Sequence, residues 1–158
     1  VKLTVRISDM KISSDKNDII VTYSLGSCIG LSLFDPVAQI GGIVHCMLPL
    51  SRIDPARAVS TPLMFTDTGT SQLIQAVLEK GARKQRLIAK VAGAAKLLDN
   101  GNTFNIGERN QVVLRKVLWK NKILIANEET GGTKARTMFL HMSTGKTVLR
   151  SGGKEYEL

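Results

Sequence analysis

The segment from Thr22 to Cys28 carries the residue types in this sequence best suited to covalent chemistry. Leu25-Gly26-Ser27-Cys28 interrupts two apolar, strand-like runs. Glycine at such a point permits a sharp turn that a residue with a Cβ resists. A tight turn can lift a side chain out of a sheet and converge backbone N–H groups on one spot, which is what a nucleophile and an oxyanion need. Cys28 is the candidate nucleophile. A free thiol is only a few per cent thiolate at neutral pH, so it needs a neighbouring base. His45 is the nearest histidine, and a return of the chain at Asp35-Pro36 would bring it back toward Cys28. Its second ring nitrogen needs a partner, which Thr22 can supply through its hydroxyl or its backbone carbonyl. The residues alone leave a plainer reading open, in which Cys28 is a small buried hydrophobe and His45 a structural residue.

These side chains must be placed by the elements around them. Val1–Ile7 alternates charged and apolar residues and reads as a half-buried strand. Ser13–Asp18 reads as a loop. Ile19–Tyr23 is β-branched and reads as a strand. Ile29–Phe34 is too short a run for periodicity to separate strand from helix. Gly42–Leu48 is a strand stopped by Pro49, and alternation puts Cys46 on the face opposite His45, in the core. Leu50–Thr61 reads as loop. A helix begins at latest by Ser71, buries Leu73, Ala76 and Val77 on one face and ends at Gly81. Leu87–Ala92 is a strand and Leu97–Asn105 a loop. Asn105 with Glu108 is placed to cap a second helix whose stripe is Val113, Leu114, Val117 and Leu118. Further strands are expected at Ile123–Ala126, Thr137–His141 and Thr147–Arg150. Strands at both ends and helices between imply α+β, a mixed sheet or sandwich with two main helices packed on it.

Length and composition bound the function. The 158 residues are one domain by size. Two cysteines and two histidines are too few for a disulfide framework or a self-sufficient zinc site. A Cys28–Cys46 disulfide is disfavoured in the cytoplasm. No apolar run reaches the ~18 residues of a membrane span, and the first residues lack a signal-peptide core, so a cytoplasmic location without membrane insertion is the default. A net charge of +9 favours an anionic partner. Aromatics at 4% argue against a stacking nucleic-acid binder. Gly145-Lys146-Thr147 resembles the tail of a phosphate loop but lacks its leading glycine, and Thr130–Lys134 reads as a surface turn before an anion nest. His141 has no acid or cysteine beside it and no expected catalytic role.

With these residues in view, the chain resembles the chemoreceptor glutamine deamidase family CheD. The resemblance rests on Leu25-Gly26-Ser27-Cys28, Phe34-Asp35-Pro36, Gly41–Pro49, Ala89–Ala94, Asn105–Asn110, Glu128–Gly132, Ala135-Arg136 and Thr144-Gly145-Lys146, in the family's order and over nearly the whole chain. It implies a layered α/β sandwich related to bacterial toxin deamidases, forming a single domain over residues 1–158. It implies a Cys28, His45, Thr22 triad, with the Cys28 N–H and the neighbouring Ser27 and Gly26 at the oxyanion and substrate. The implied reaction turns receptor glutamines into glutamates with release of ammonia, through a cysteine thioester and without metal or organic cofactor. Receptor methylesterase activity is a further implication. The implied partners are the cytoplasmic domain of a chemoreceptor and the CheY-P phosphatase CheC, for which the chain would otherwise be a non-catalytic binding partner. Nothing demands more than a monomer. Ser24 stands where the family often has glycine, Ala94–Leu97 departs from the family pattern in a loop that can shape specificity, and Thr133 replaces a more common asparagine. None of these touches the triad. The +9 charge then fits Glu-rich receptor helices better than nucleic acid.

Overall fold

A computed structural model describes residues 1–96 and 105–158. Among the described residues, ten strands form two five-stranded mixed sheets. The first contains β1 (Lys2–Val5), β3 (Ile19–Leu25), β8 (Arg136–His141), β9 (Lys146–Ser151) and β10 (Lys154–Glu157) in the order β1-β3-β8-β9-β10. The second contains β2 (Asp9–Ser13), β4 (Ile29–Asp35), β5 (Ile40–Cys46), β6 (Ile88–Gly93) and β7 (Ile125–Thr130) in the order β2-β5-β4-β6-β7. Pairing is antiparallel except for β1 with β3 and β6 with β7. Helices α2 (Thr66–Lys80) and α3 (Ile106–Lys120) pack on the second sheet, and a short α1 (Pro55–Ser60) precedes them. The expected α+β sandwich is the observed one.

Two apolar layers hold it together. Val5, Ile20, Leu25, Phe34, Ile43, Met138, Leu140 and Leu149 cluster between the sheets. Ile29, Leu31, Leu33, Val44, Cys46, Leu73, Ile74, Val77, Leu114 and Leu118 cluster between the second sheet and the helices. Every residue of β4 is buried, because one face meets the helices and the other the first sheet. That resolves the Ile29–Phe34 run as a strand, since a strand buried on both faces loses its alternation.

Several expectations move. The first strand stops at Val5, where Ser8 takes φ +60 and Asp9 Oδ2 accepts from Arg6 N at 3.1 Å, and β2 follows where no strand was read. The Leu50–Thr61 stretch contains α1, capped by Asp54, which accepts from Arg57 N at 3.1 Å ahead of Pro55. The Asn105 cap is not made: Asn105 sits at φ 48 and ψ 48 with no side-chain cap bond, since its left-handed backbone departs from the extended conformation a capping side chain uses. β7 starts two residues later than read and runs through Glu128 and Glu129, whose charges disguised it. Their partners explain the disguise: Arg115 pairs with Glu128 and Arg136 with Glu129. The Leu97–Asn105 loop and the specificity-shaping Leu97 lie at or beyond the edge of the described residues. Gly145 is the turn of the β8–β9 hairpin, packed against the Phe34 ring. Among the described residues, no helix is long and apolar enough to cross a membrane.

Candidate functional site

The antiparallel register of β4 and β5 pairs Gly30 with His45. Cys28 lies in the turn two residues before Gly30, just ahead of β4, and among the described residues no hydrogen bond joins it to His45 Nε2. The face that Gly30 and His45 share looks into the layer between the sheets. A Cβ on Gly30 would meet Leu25 Cδ1 at 2.9 Å and Met138 Sδ at 3.4 Å, both in that layer, and Cys28 packs against the same cluster. The Leu25 side chain thus fills the space over Gly30, which is why a glycine stands there. Cys46, one residue on from His45, is fully buried on the helix side, with Gly69 of α2 against its sulfur. Both cysteines are free thiols.

Thr22 enters from the other sheet. β3 carries Ile20 and Thr22 on its inner face, and a bulge between Thr22 and Leu25 ends the regular ladder. Ser24, within that bulge, adopts φ +55. The Thr22 hydroxyl donates to Val5 O at 2.8 Å and lies 2.7 Å from His45 Nδ1. Its single proton is spent on the Val5 carbonyl, so it accepts from His45, and the network assigns the proton to Nδ1. Nε2 then carries the lone pair. It is buried and has no hydrogen-bond partner among the described residues, an arrangement that costs about 1–3 kcal/mol unless something uses it. Val5, Arg6, Ile7 and Tyr23 line a cleft of about 420 Å³ that reaches His45.

Electrostatics set the resting charge states. Burial lowers the His45 pKa to about 4, so the ring is neutral near pH 7. Burial raises the Cys28 thiol, and its own backbone N–H partly opposes this. The resting pair is therefore thiol and neutral imidazole, not a thiolate held by an imidazolium. Burial and the nearby Cys28 and Asp67 raise the Cys46 thiol as well, leaving it inert.

The turn at residues 26–28 is clamped by its carbonyls. Gly26 O accepts from Ala95 N and Cys28 O from Ala94 N, each at 2.8 Å. Ser27 O accepts from Asn110 Nδ2 at 3.0 Å. Gly93 must be glycine: its φ is +107, and a Cβ there would lie 2.4 Å from Cys28 O. Arg136, buried, donates to Gly93 O at 3.1 Å and holds that wall in place. Of the three expected residues, Thr22 and His45 are brought together by a hydrogen bond, while Cys28 stands in the turn ahead of β4 without a hydrogen bond to His45 Nε2 among the described residues. Gly26 and Ser27 supply the turn and its carbonyls. Asn110 is not among the expected site residues, although it closes the Asn105–Asn110 stretch on which the resemblance rests.

Other features stay outside. A cavity of about 710 Å³ lies between Pro49–Arg52 and α3 and includes neither Cys28 nor His45. His141 stacks on Phe139 at the end of β8. Gly131 N is bonded to Gly93 O at 3.0 Å and Lys96 N to Gly132 O at 2.8 Å, so the Thr130–Lys134 turn serves to pin loops together. Among the described residues, no cluster of three or more His, Cys, Asp or Glu is arranged to hold a metal ion.

A family profile described as CheD chemotactic sensory transduction matches residues 47–151. A probable chemoreceptor glutamine deamidase CheD of Solibacter usitatus is 46% identical, over 99% of this chain and 93% of its own length. A probable chemoreceptor glutamine deamidase CheD 1 of Syntrophus aciditrophicus is 46% identical over 94% and 93%. One of Pyrococcus horikoshii is 39% identical over 94% and 91%. The crystal structure of the Bacillus licheniformis hypothetical protein YfiH aligns with 79% of this chain and 50% of its own at 14% identity and a TM-score of 0.49.

Proposed function

The chain belongs to the CheD family, and on that premise we propose that it is a chemoreceptor glutamine deamidase, a hydrolase that uses Cys28 as nucleophile, His45 as base and acid, and Thr22 to orient His45. The observation that carries this reading is the committed Thr22 hydroxyl, which leaves a buried His45 Nε2 with a free lone pair.

When a glutamine side chain enters, the Cys28 S–H proton passes to His45 Nε2 and the sulfur bonds to the amide carbon. The carbonyl oxygen takes the negative charge and is held by the Cys28 N–H in the turn that Gly26 and Ser27 form. His45 returns its proton to the leaving nitrogen, the C–N bond breaks, and ammonia departs, leaving a thioester. A water molecule then gives a proton to His45 as its oxygen bonds to the same carbon. The C–S bond breaks, the sulfur recovers that proton, and the product is glutamate. The same sequence with methanol as leaving group would hydrolyse a glutamate methyl ester. Thr22 accepts from Nδ1–H throughout and stabilises the imidazolium that forms between steps. CheC, where present, would dock as a protein partner on the same molecule.

The test is mass spectrometry of a chemoreceptor cytoplasmic fragment after incubation. The expected result is a gain of about one dalton at particular glutamines, as amide becomes acid. Cys28→Ala, folded by circular dichroism, should yield none. Deamidation that persists in Cys28→Ala overturns the assignment.

A further inference from the structure

Asn110 is completely buried on α3 and has no ion pair or apolar role to explain it. Its Nδ2 donates to Ser27 O at 3.0 Å and to Met47 O at 3.1 Å. Its Oδ1 accepts from Thr66 Oγ1 at 3.1 Å. Both amide protons are spent on carbonyls, which can only accept and so fix Nδ2 as the end that faces them, while the Thr66 hydroxyl lies 3.1 Å from Leu48 O as well as from Oδ1. The two carbonyls it holds are the ones that matter to the site. One belongs to the turn of Cys28, the other lies two residues past His45.

The Ser27 carbonyl and the Cys28 N–H are two ends of one peptide unit. No peptide bond among the described residues is cis, so these groups point in opposite directions in a plane. Holding Ser27 O from the α3 side turns the Cys28 N–H away from α3. Gly26 O and Cys28 O are already held from the 94–95 side, and the remaining freedom of the turn is the tilt of the Ser27–Cys28 plane. A carbonyl that accepts a hydrogen bond also makes its own N–H a stronger donor.

We propose that Asn110 is a positioning residue for the reaction: by gripping the Ser27 carbonyl it aims and strengthens the Cys28 N–H that receives the oxyanion. This rests on the deamidase reading above. It predicts an effect confined to steps in which negative charge builds on the substrate oxygen. Deamidation has such a step. Alkylation of Cys28 by iodoacetamide does not, because displacement at a saturated carbon forms no oxyanion.

The experiment compares wild type, Cys28→Ala, Asn110→Ala, Thr66→Val and Thr66→Ser. It measures kcat and KM on a receptor fragment, the alkylation rate of Cys28, and thermal unfolding. For Asn110→Ala the expected result is a kcat loss of roughly 10²-fold, with KM and the alkylation rate within about threefold of wild type. Thr66→Val, which takes the hydroxyl away from Asn110 Oδ1 while leaving Asn110 in place, should lose kcat by a smaller factor, and Thr66→Ser should restore it. If Asn110→Ala unfolds, the Thr66 pair carries the test alone. Wild-type kcat in a folded Asn110→Ala, or a parallel fall in kcat and alkylation, overturns the inference. In that case Cys28→Ala still inactive leaves the deamidase reading standing. A wild type that releases no ammonia overturns that reading instead.

Discussion

At the scale of residues, the chemistry depends on which group holds the proton before substrate arrives. A cysteine–histidine pair can rest as thiolate and imidazolium or as thiol and imidazole. Here burial favours the neutral form of both partners, raising Cys28 and lowering His45 to about 4. The proton should move only as the amide carbon closes on sulfur. Cys28 should therefore react with iodoacetamide at pH 6 more slowly than a free cysteine in a short peptide, and its rate should keep rising past pH 9. A rate that is already maximal near pH 5–6 would reveal a preformed ion pair and contradict this charge assignment. The Thr22–His45 contact was legible in the sequence from residue types, although Thr22 lies within β3, which runs on to Leu25, rather than at a strand end. Asn110 was not, because it acts on backbone carbonyls from a helix that approaches the turn only in the folded chain. The resting protonation was not legible either, since residue identity says nothing about desolvation.

Elements decide whether the turn can exist. Two features shape it: the bulge at the end of β3 and the wall formed by the end of β6. Ser24 holds φ +55 in that bulge, a conformation costing a residue with a Cβ roughly 1–2 kcal/mol. Ser24→Gly should leave stability unchanged or raise it by up to about 1 kcal/mol, the gain being offset by the freedom glycine adds to the unfolded chain. Gly93→Ala should do the opposite. Its new Cβ would press on Cys28 O, so the urea midpoint should drop and deamidation should fall further than the stability loss explains. Equal behaviour of the two variants would mean that neither the bulge nor the wall governs the Cys28 turn. The central strands were readable because burial on one or two faces leaves an apolar pattern. β2 and β10 were not: both are edge strands, and β10 is exposed along its whole length, with Lys154, Glu155 and Glu157 in it. Charge of that kind protects a sheet edge and hides it from a hydrophobicity scan. The helix stripe was read correctly at Leu114 and Leu118, while the Asn105 cap failed because the backbone there is left-handed.

At the scale of the whole molecule, the sandwich was legible as a class from the order of its strands and helices. The pairing of sheets was not, because β1 with β3 and β3 with β8 join segments far apart in the chain. That architecture buries His45 between the sheets and Asp35 at the end of β4, and both groups tie stability to pH with separate windows. For Asp35, burial alone would raise the pKa, but the Arg86 guanidinium and the backbone N–H groups of Arg83, Ala38 and Val37 outweigh it and hold it at about 2. A depressed acid stabilises the fold above its unfolded pKa near 3.8 and loses that contribution as pH falls toward 2. For His45, the unfolded chain takes up a proton near pH 6.5 and the folded chain only near 4. Between those values the unfolded state binds more protons, so stability falls as pH is lowered through the window, by up to about 3 kcal/mol. Below pH 4 the histidine contributes no further loss and the Asp35 window begins, with the excess positive charge of the chain adding self-repulsion. Urea midpoints at pH 7.0, 5.5 and 4.5 should decline for the wild type and stay nearly level for His45→Gln, whose side chain does not titrate. Parallel slopes in the two proteins would place the acid sensitivity elsewhere and remove the argument that the fold keeps His45 neutral.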